Sequence, residues 1–513
     1  MKKLVLVLVT AAAVVAAALI PPGAPVVAAA PGFGTAVSAV KQSSWQTNAP
    51  VNAIAIAGNN VFVGGLFTRV RPPGKPAGQG EAVRTYLASF SRTSGNASGF
   101  APKLNGPVWS IATSLDQKWI VVGGDFTTVN GQPRNRIAMF NAATGALSSF
   151  RPSVNFRVKA VAIYGNSVFF GGSFGRVSGV ERNRLAAVAL NSGALLPWNP
   201  NANDDVYAID VADNGTKVYA GGPFTTVRGQ HHNTLVALNN STGVPYAMPA
   251  ASAIPEPVLV PPNKCVTRVK DIDTYGSKVF VANGGDGTGC YDGILAADVA
   301  TGKLLWQSKC LGATEAVKAI GNWLYKGSHA HNCSPDEPSY FKDGSGTHYL
   351  LVHSGVTGKL GPWFPNTDAD PNSSTKVGPL AMAATGTDLW VGGDFLKVNG
   401  TGQQGITRFT NAIGGAKAPA PAAPAANSPV ANKVGLSFRT VVDPDNITLT
   451  YKVYQGTRLV GTWNRNTYKW QASQLVTYTD TGVKSGQQVN YRVEVLDGRN
   501  VVKSATSATV VVR

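Results

Sequence analysis

From Val51 to about residue 412, short apolar runs recur in groups of four, separated by turn residues. One unit shows the order. A mainly apolar run, "VKAVAIYG" from Val158, passes through a turn into "VFFGGSF"; a second turn at Ser178-Gly179 leads to "RNRLAAVALN", and "GALLPWNP" ends the unit. Alternation with period two predicts strands with a buried face, and tight turns between them predict antiparallel neighbours.

Aligned on a pair of glycines, the units become copies of one another. The pairs are Gly64-Gly65, Gly123-Gly124, Gly171-Gly172, Gly221-Gly222 and Gly392-Gly393, followed by Phe67, Phe126, Phe174, Phe224 and Phe395. Two degenerate copies, around Gly284 and Gly327, fill the interval and bring the count to seven. Four antiparallel strands in roughly fifty residues is the period of propeller blades, and one sheet per period favours a closed ring over a solenoid. The glycines are read as scaffold, permitting positive φ or close backbone approach, with the Phe buried against the next blade.

Most copies end on an aromatic residue shortly before the next first strand: Phe100, Phe150, Trp198 and Trp363. The last copy lacks this element, whereas Trp45 precedes Val51 with no copy before it. The N-terminal segment is therefore expected to supply the outer strand of the seventh blade and close the ring. The phrase "VGGDFTTVNGQPRNRIAMFNAATG" resembles the delta-sixty type of β-propeller repeat of exported bacterial proteins, over roughly residues 40–412. The resemblance implies a fold and no particular reaction.

Outside the repeat, "GGAKAPAPAAPAANSP" marks an Ala/Pro linker at 413–429, expected to be extended and semi-rigid. Residues 430–513 carry short alternating strands. The stretch "TYTDTGVKSGQQVNYRVEVLDG", with Tyr478, Asp480 and Tyr491-Arg492-Val493, resembles a fibronectin type III β-sandwich, a kind of module that accompanies carbohydrate-active domains in exported bacterial proteins. The fold expected is all-β: a seven-bladed propeller closed by its N-terminal strand, then this small sandwich.

Residues 1–29 read as a signal peptide, with Lys2 and Lys3 ahead of an apolar run and cleavage near Ala28 or Ala29. The protein is thus expected to be secreted, extracellular or cell-wall associated, with no membrane span after cleavage. A net charge of +18, spread without a dense basic run, suits acidic wall polymers or anionic polysaccharide. Nucleic-acid-binding motifs are absent from the sequence. Four cysteines in an exported chain predict disulfides, with three possible pairings. In a propeller the chain enters a blade on the face that carries its second-to-third-strand loop, which selects Cys265 with Cys290 and Cys310 with Cys333.

Candidate chemistry is sparse. The loop "GSHAHNCSPDEPSYFKDGSGTH" concentrates His329, His331, Asp336, Glu337, Asp343 and His348, where a metal is conceivable but a polar loop is the simpler reading. Asp286 and Asp292 lack the spacing of a calcium loop. Arg134, Arg136, Arg182, Arg184 and His232 form a recurring basic element that can grip carboxylate or sulfate groups at a rim. Nucleophile motifs are missing, and galactose oxidase, which also joins a propeller to a fibronectin-like end, has a different repeat. The expected function is a monomeric, non-catalytic binding or scaffold protein for a polysaccharide, cell-wall polymer or protein, without cofactor or metal. Its ligand residues are the five basic ones plus His329 and His331. The alternative is a glycoside hydrolase using Asp336, Glu337 and Asp343.

Overall fold

The computed structural model describes residues 37–258, 265–287, 290–373, 376–411 and 415–513. The signal segment and the side chain of Asp286 lie outside this set. Among the described residues there is no α-helix, and one 3-10 turn, Pro249–Ala253, interrupts the strands. The chain is a β-propeller followed by a β-sandwich.

Each repeat forms an antiparallel meander. In the third, Val158–Tyr164 pairs with Ser167–Gly172, which pairs with Leu185–Ala189, and a bridge from Val188 to Leu195 adds the outer edge. Among the described residues seven such sheets are formed, with innermost strands Val51–Ala57, Val108–Thr113, Val158–Tyr164, Ala208–Val211, Cys265–Tyr275, Thr314–Ile320 and Gly378–Thr385. Each sheet is apolar on both faces, so it buries itself between two neighbours. Phe169, Trp198 and Val218, for example, share one core between the third and fourth sheets.

The glycine pair is explained by contact, not by backbone twist, since neither member appears at positive φ. A Cβ on Gly64 would lie 2.3 Å from Val108 Cγ1 of the second sheet, and one on Gly123 2.5 Å from Val158 of the third. Gly171 and Gly221 meet Val206 and Val269 in the same way. Gly392 of the last sheet meets Val51 of the first, with a hypothetical Cβ 2.4 Å away. The second glycine admits a carbonyl instead; a Cβ on Gly172 would sit 2.2 Å from the Arg157 oxygen.

The N-terminal strand Lys41–Gln42 pairs with Ile406–Phe409 on the outer side of the last sheet, Lys41 opposite Phe409. Gln403 Nε2 donates to Ser44 Oγ at 3.2 Å and Arg408 Nε to the Ser43 carbonyl at 2.9 Å. The disulfides are Cys265–Cys290 and Cys310–Cys333, as expected.

In the C-terminal part, Ala425–Asn427, Val434–Arg439 and Leu475–Asp480 make one sheet; Arg458–Asn466, Thr448–Gln455, Tyr491–Leu496 and Val501–Lys503 make the other. Leu436, Phe438, Tyr451, Tyr491 and Val493 fill the space between them. Tyr491 donates its hydroxyl to Asp480 at 2.9 Å. The Ala/Pro stretch is tied down at both ends: Ala416 and Ala418 are buried, the Ala416 N–H bonds Asp445 Oδ2 at 2.8 Å, and the far end is the strand Ala425–Asn427. Asp445 also accepts from Ser38 Oγ and the Ala39 N–H, at 3.1 and 3.0 Å. Trp470 packs against Phe341 and Phe364, with ring centroids 5.2 Å away in each case. The sandwich is therefore docked on the propeller through named contacts.

Candidate functional site

The innermost strands share an irregularity. Pairing skips one residue between Val51 and Ala53, Val108 and Ser110, Val158 and Ala160, Val269 and Asp271, Thr314 and Ala316, and Pro379 and Ala381. The skipped residues are Asn52, Trp109, Lys159, Lys270, Glu315 and Leu380. In the fourth sheet Tyr207, just ahead of the strand Ala208–Val211, takes the same place. A bulge leaves its extra residue unpaired and turns its side chain out of the sheet's alternation. All seven are half-buried, each beside a buried residue, and all seven line one cavity of about 650 Å³ at the end of the strands. That volume lies within the range of small-ligand sites, about 300–1,000 Å³.

The cavity's cations are already matched. Arg157 binds Asp125 through Nε at 2.9 Å and Nη2 at 2.7 Å, and its guanidinium lies 4.8 Å from the centroid of Trp109. Trp109 Nε1 donates to the same carboxylate at 2.9 Å. Burial pushes the Asp125 carboxyl up, but the bonds from Arg157 and Trp109 outweigh it and hold the group below the usual carboxylate range. Lys159 Nζ sits 2.8 Å from Asp205 Oδ2 and 4.2 Å from the Tyr207 centroid, and Ser173 Oγ donates to Asp205 at 2.8 Å. Lys270 and Glu315 pair at 3.2 Å.

Asp394 and Asp370 also line this cavity, together with Ser373 and Asn372. The Asp370 N–H donates to the Asp394 carbonyl at 3.0 Å, fixing the two residues together. Burial, and then the charge of Asp370, raise the Asp394 carboxyl above its ordinary value against an opposing bond from Ser373. Neither carboxylate has a cation within ion-pair distance among the described residues.

Deeper along the axis a narrower space of about 250 Å³ is lined by residues of all seven innermost strands. Here acids tie neighbouring strands together: Asp210 accepts the Thr274 N–H at 2.7 Å, Asp271 the Val317 N–H at 3.0 Å, and Asp273 the Ala319 N–H at 2.7 Å. Lys318 bonds Asp273. Asp210 and Asp271 touch the axial space yet lie deep in the protein. Burial first and then the Asp273 charge push Asp210 up to about 6, and burial with the same charge takes Asp271 to about 7.

The residues singled out in the sequence fall elsewhere. Arg134 Nη2 donates to the Ser148 carbonyl at 2.7 Å and Arg182 Nη2 to that of Leu196 at 3.2 Å, a clamp that Arg84 repeats on Ser98. Arg136 and Arg184 hold left-handed backbone, φ 71° and 64°, and bond the carbonyls of Asp125 and Ser173. They thereby support the cavity wall without lining it. His232 is half-buried, its Nε2 unpartnered. His329 is half-buried too, and burial lowers its pKa. His331 pairs with Asp343 at 2.5 Å on the surface, Asp336 accepts the Lys309 N–H at 2.6 Å, and Glu337 lies in the same loop. Neither axial space is lined by Asp336, Glu337 or Asp343. Among the described residues no three His, Cys, Asp or Glu side chains converge as a metal site.

The seven cavity residues escaped the sequence reading, although a signal existed. Each follows a buried residue near the start of its unit (Val51, Val108, Val158, Val206, Val269, Thr314 and Pro379), at a position where the repeat has no consensus: Asn, Trp, Lys, Tyr, Lys, Glu, Leu. A repeat keeps its scaffold and varies its site.

Comparison with known families supports the same architecture. Residues 118–147 match the family described as "Domain of unknown function (DUF5122) beta-propeller". No curated protein matches the chain. Among solved structures, a chain of the "Crystal Structure of Mitotic Checkpoint Complex" is similar at 13% identity and a TM-score of 0.42, covering 70% of this chain and 88% of that one. A likeness of that degree carries no information about function.

Proposed function

We propose that this is an exported, non-catalytic binding protein: a seven-bladed propeller, closed by the strand Lys41–Gln42, that takes an extracellular ligand into its axial cavity. The C-terminal sandwich is read as a fibronectin type III-like module fastened beside the ring. The observation that carries the function is the bulge repeated at the mouth of the innermost strands, which turns Asn52, Trp109, Lys159, Lys270, Glu315 and Leu380 out of the sheet pairing, with Tyr207 alongside. Bulges conserved through copies of otherwise regular strands re-aim side chains toward a site. Aromatic rings beside paired charges suit a polar polymer with apolar faces, and a wall polysaccharide fits this best.

The test is sedimentation of the mature protein with cell walls and insoluble polysaccharides, with released reducing sugar measured in the same tubes. Co-sedimentation that falls in Trp109→Ala and Tyr207→Ala, without sugar release, supports binding. A second reading, a glycoside hydrolase, is favoured by one observation: Glu315, Asp370 and Asp394 line one cavity, and Asp394 is pushed toward its protonated form. Sugar release lost in Glu315→Gln or Asp394→Asn would establish that reading. On the hydrolase reading the acids are these three, not Asp336, Glu337 and Asp343.

A further inference from the structure

The chain carries a net charge of +18, yet the lining of its axial cavity is balanced, with Arg157, Lys159 and Lys270 against Glu315, Asp370 and Asp394. Each cation of the cavity is neutralised by a partner: Arg157 by Asp125, Lys159 by Asp205, Lys270 by Glu315. What remains is the pair Asp370 and Asp394, linked through the 3.0 Å bond between their backbones and without a cation of their own among the described residues. Asp394 is 8% exposed. Two neighbouring carboxylates in a partly enclosed space repel each other, and a bound cation is the ordinary way such a pair is relieved.

The remaining lining narrows the cation's chemistry. Trp109 and Tyr207 stand on the part of the wall formed by the second and fourth sheets, while Asp394 belongs to the seventh. A ligand reaching both must be longer than a bare ion and must carry an apolar face as well as a charge. Rings with flat faces on one part of a wall, and carboxylates that accept hydrogen bonds from hydroxyl and ammonium groups on another, suit a saccharide. An anionic sugar is disfavoured, because the lysines and arginine that would receive it are already paired with carboxylates, whereas Asp370 and Asp394 accept only neutral hydrogen bonds, from Asn372 and Ser373, and have no cation among the described residues.

Building on the binding reading above, we infer that the axial cavity binds an amino sugar, with its ammonium group at Asp370 and Asp394 and its ring faces toward Trp109 and Tyr207. The basic surface then has a complementary role. It attracts polymers that are anionic overall, and the pair Asp370 and Asp394 selects an ammonium-bearing unit within them.

The experiment is isothermal titration of the mature full chain with the glucosamine tetramer, the N-acetylglucosamine tetramer and tetralysine, at a mildly acidic pH where the amines are charged. Binding of the glucosamine tetramer is expected, with the N-acetylated tetramer and tetralysine each weaker by about tenfold or more, the scale of a lost charge-assisted contact. Asp370→Asn and Asp394→Asn should each weaken the glucosamine tetramer by a similar factor while leaving thermal unfolding near that of the wild type. Equal binding of the acetylated tetramer, or full binding by both Asn variants, overturns the ammonium assignment. If Trp109→Ala still abolishes binding in that case, the cavity reading survives; if it does not, both fail. Tighter binding of tetralysine overturns the sugar and points to a cationic peptide. Absence of binding by all three probes overturns the inference outright.

Discussion

Trp109 and Asp125 are joined by a 2.9 Å bond from the indole N–H to Oδ2. The first owes its orientation to a bulge; the second is the variable residue inside the glycine phrase "GGDF". Arg157, from the next sheet, completes the triangle by binding the carboxylate and covering the ring. A scaffold motif and a site residue thus meet at one carboxylate.

Removing that carboxylate should disturb the site more than the fold. In Asp125→Ala, Arg157 loses its partner but remains partly solvated, so a stability loss of about 1 kcal/mol is expected by thermal or urea unfolding. Ligand binding should fall further, because both the indole and the guanidinium lose their anchor. Trp109→Phe, which keeps a ring without the N–H donor, should retain more binding than Trp109→Ala; equal loss in both would assign the effect to the hydrogen bond alone.

Gly392 is expected to tolerate no side chain. A Cβ there would lie 2.4 Å from Val51 Cγ1, against the first sheet, so Gly392→Ala forces the seam between last and first sheets apart. Overpacking of this kind costs about 1–3 kcal/mol. Gly402 has open space around its would-be Cβ and no positive φ, so Gly402→Ala is the control and should leave the unfolding midpoint nearly unchanged.

These glycines also show what could be read from sequence alone. Gly64, Gly123, Gly171, Gly221 and Gly392 each meet a valine in or just ahead of the next sheet's innermost strand, so the same physical demand returns in these five copies and leaves a visible phrase. The pairing of Lys41–Gln42 with the last sheet was legible for a related reason: an edge lacking its aromatic strand needs one from elsewhere. The disulfides followed from topology once the ring was assumed. Cavity residues leave no such trace, because Lys159 and Glu315 share a position but not a chemistry. Loops attract attention through density of charge, yet Arg134 turned out to serve a neighbouring carbonyl, and His331 a surface carboxylate. The docking of Trp470 was hidden too, since a lone tryptophan in a turn does not name the distant Phe341 and Phe364 that receive it.

That docking is open to test. Trp470 is half-buried, and its Nε1 donates to the Ser339 carbonyl at 3.2 Å. Trp470→Ala should loosen the sandwich from the propeller at a cost of about 1–3 kcal/mol, below a fully buried tryptophan. Limited proteolysis should then cut sooner between residues 415 and 424, while the isolated transitions of the two parts separate in calorimetry. A single unchanged transition would mean that the remaining contacts, among them the Asp445 bonds to Ser38, Ala39 and Ala416 and the Phe364 N–H bond to the Pro444 carbonyl, hold the module without Trp470.

The axial acids give the fold a pH dependence of definite sign. Asp210 and Asp271 have folded pKa values of about 6 and about 7, above the ordinary 3.8, because burial and the Asp273 charge disfavour their ionised forms. Between about pH 4 and pH 7 the folded chain therefore holds more protons at these two sites than the unfolded chain does. Stability from them is greatest below the unfolded value and declines as pH rises through the folded ones. Asp271→Asn removes one of the two titrations while its side-chain oxygen can still accept the Val317 N–H. In that variant the unfolding midpoint should fall less steeply from pH 4 to pH 7 than in the wild type. An identical slope would show that the Asp271 carboxyl stays ionised in the folded protein, held by the Ile272 and Val317 N–H groups against the burial that opposes it.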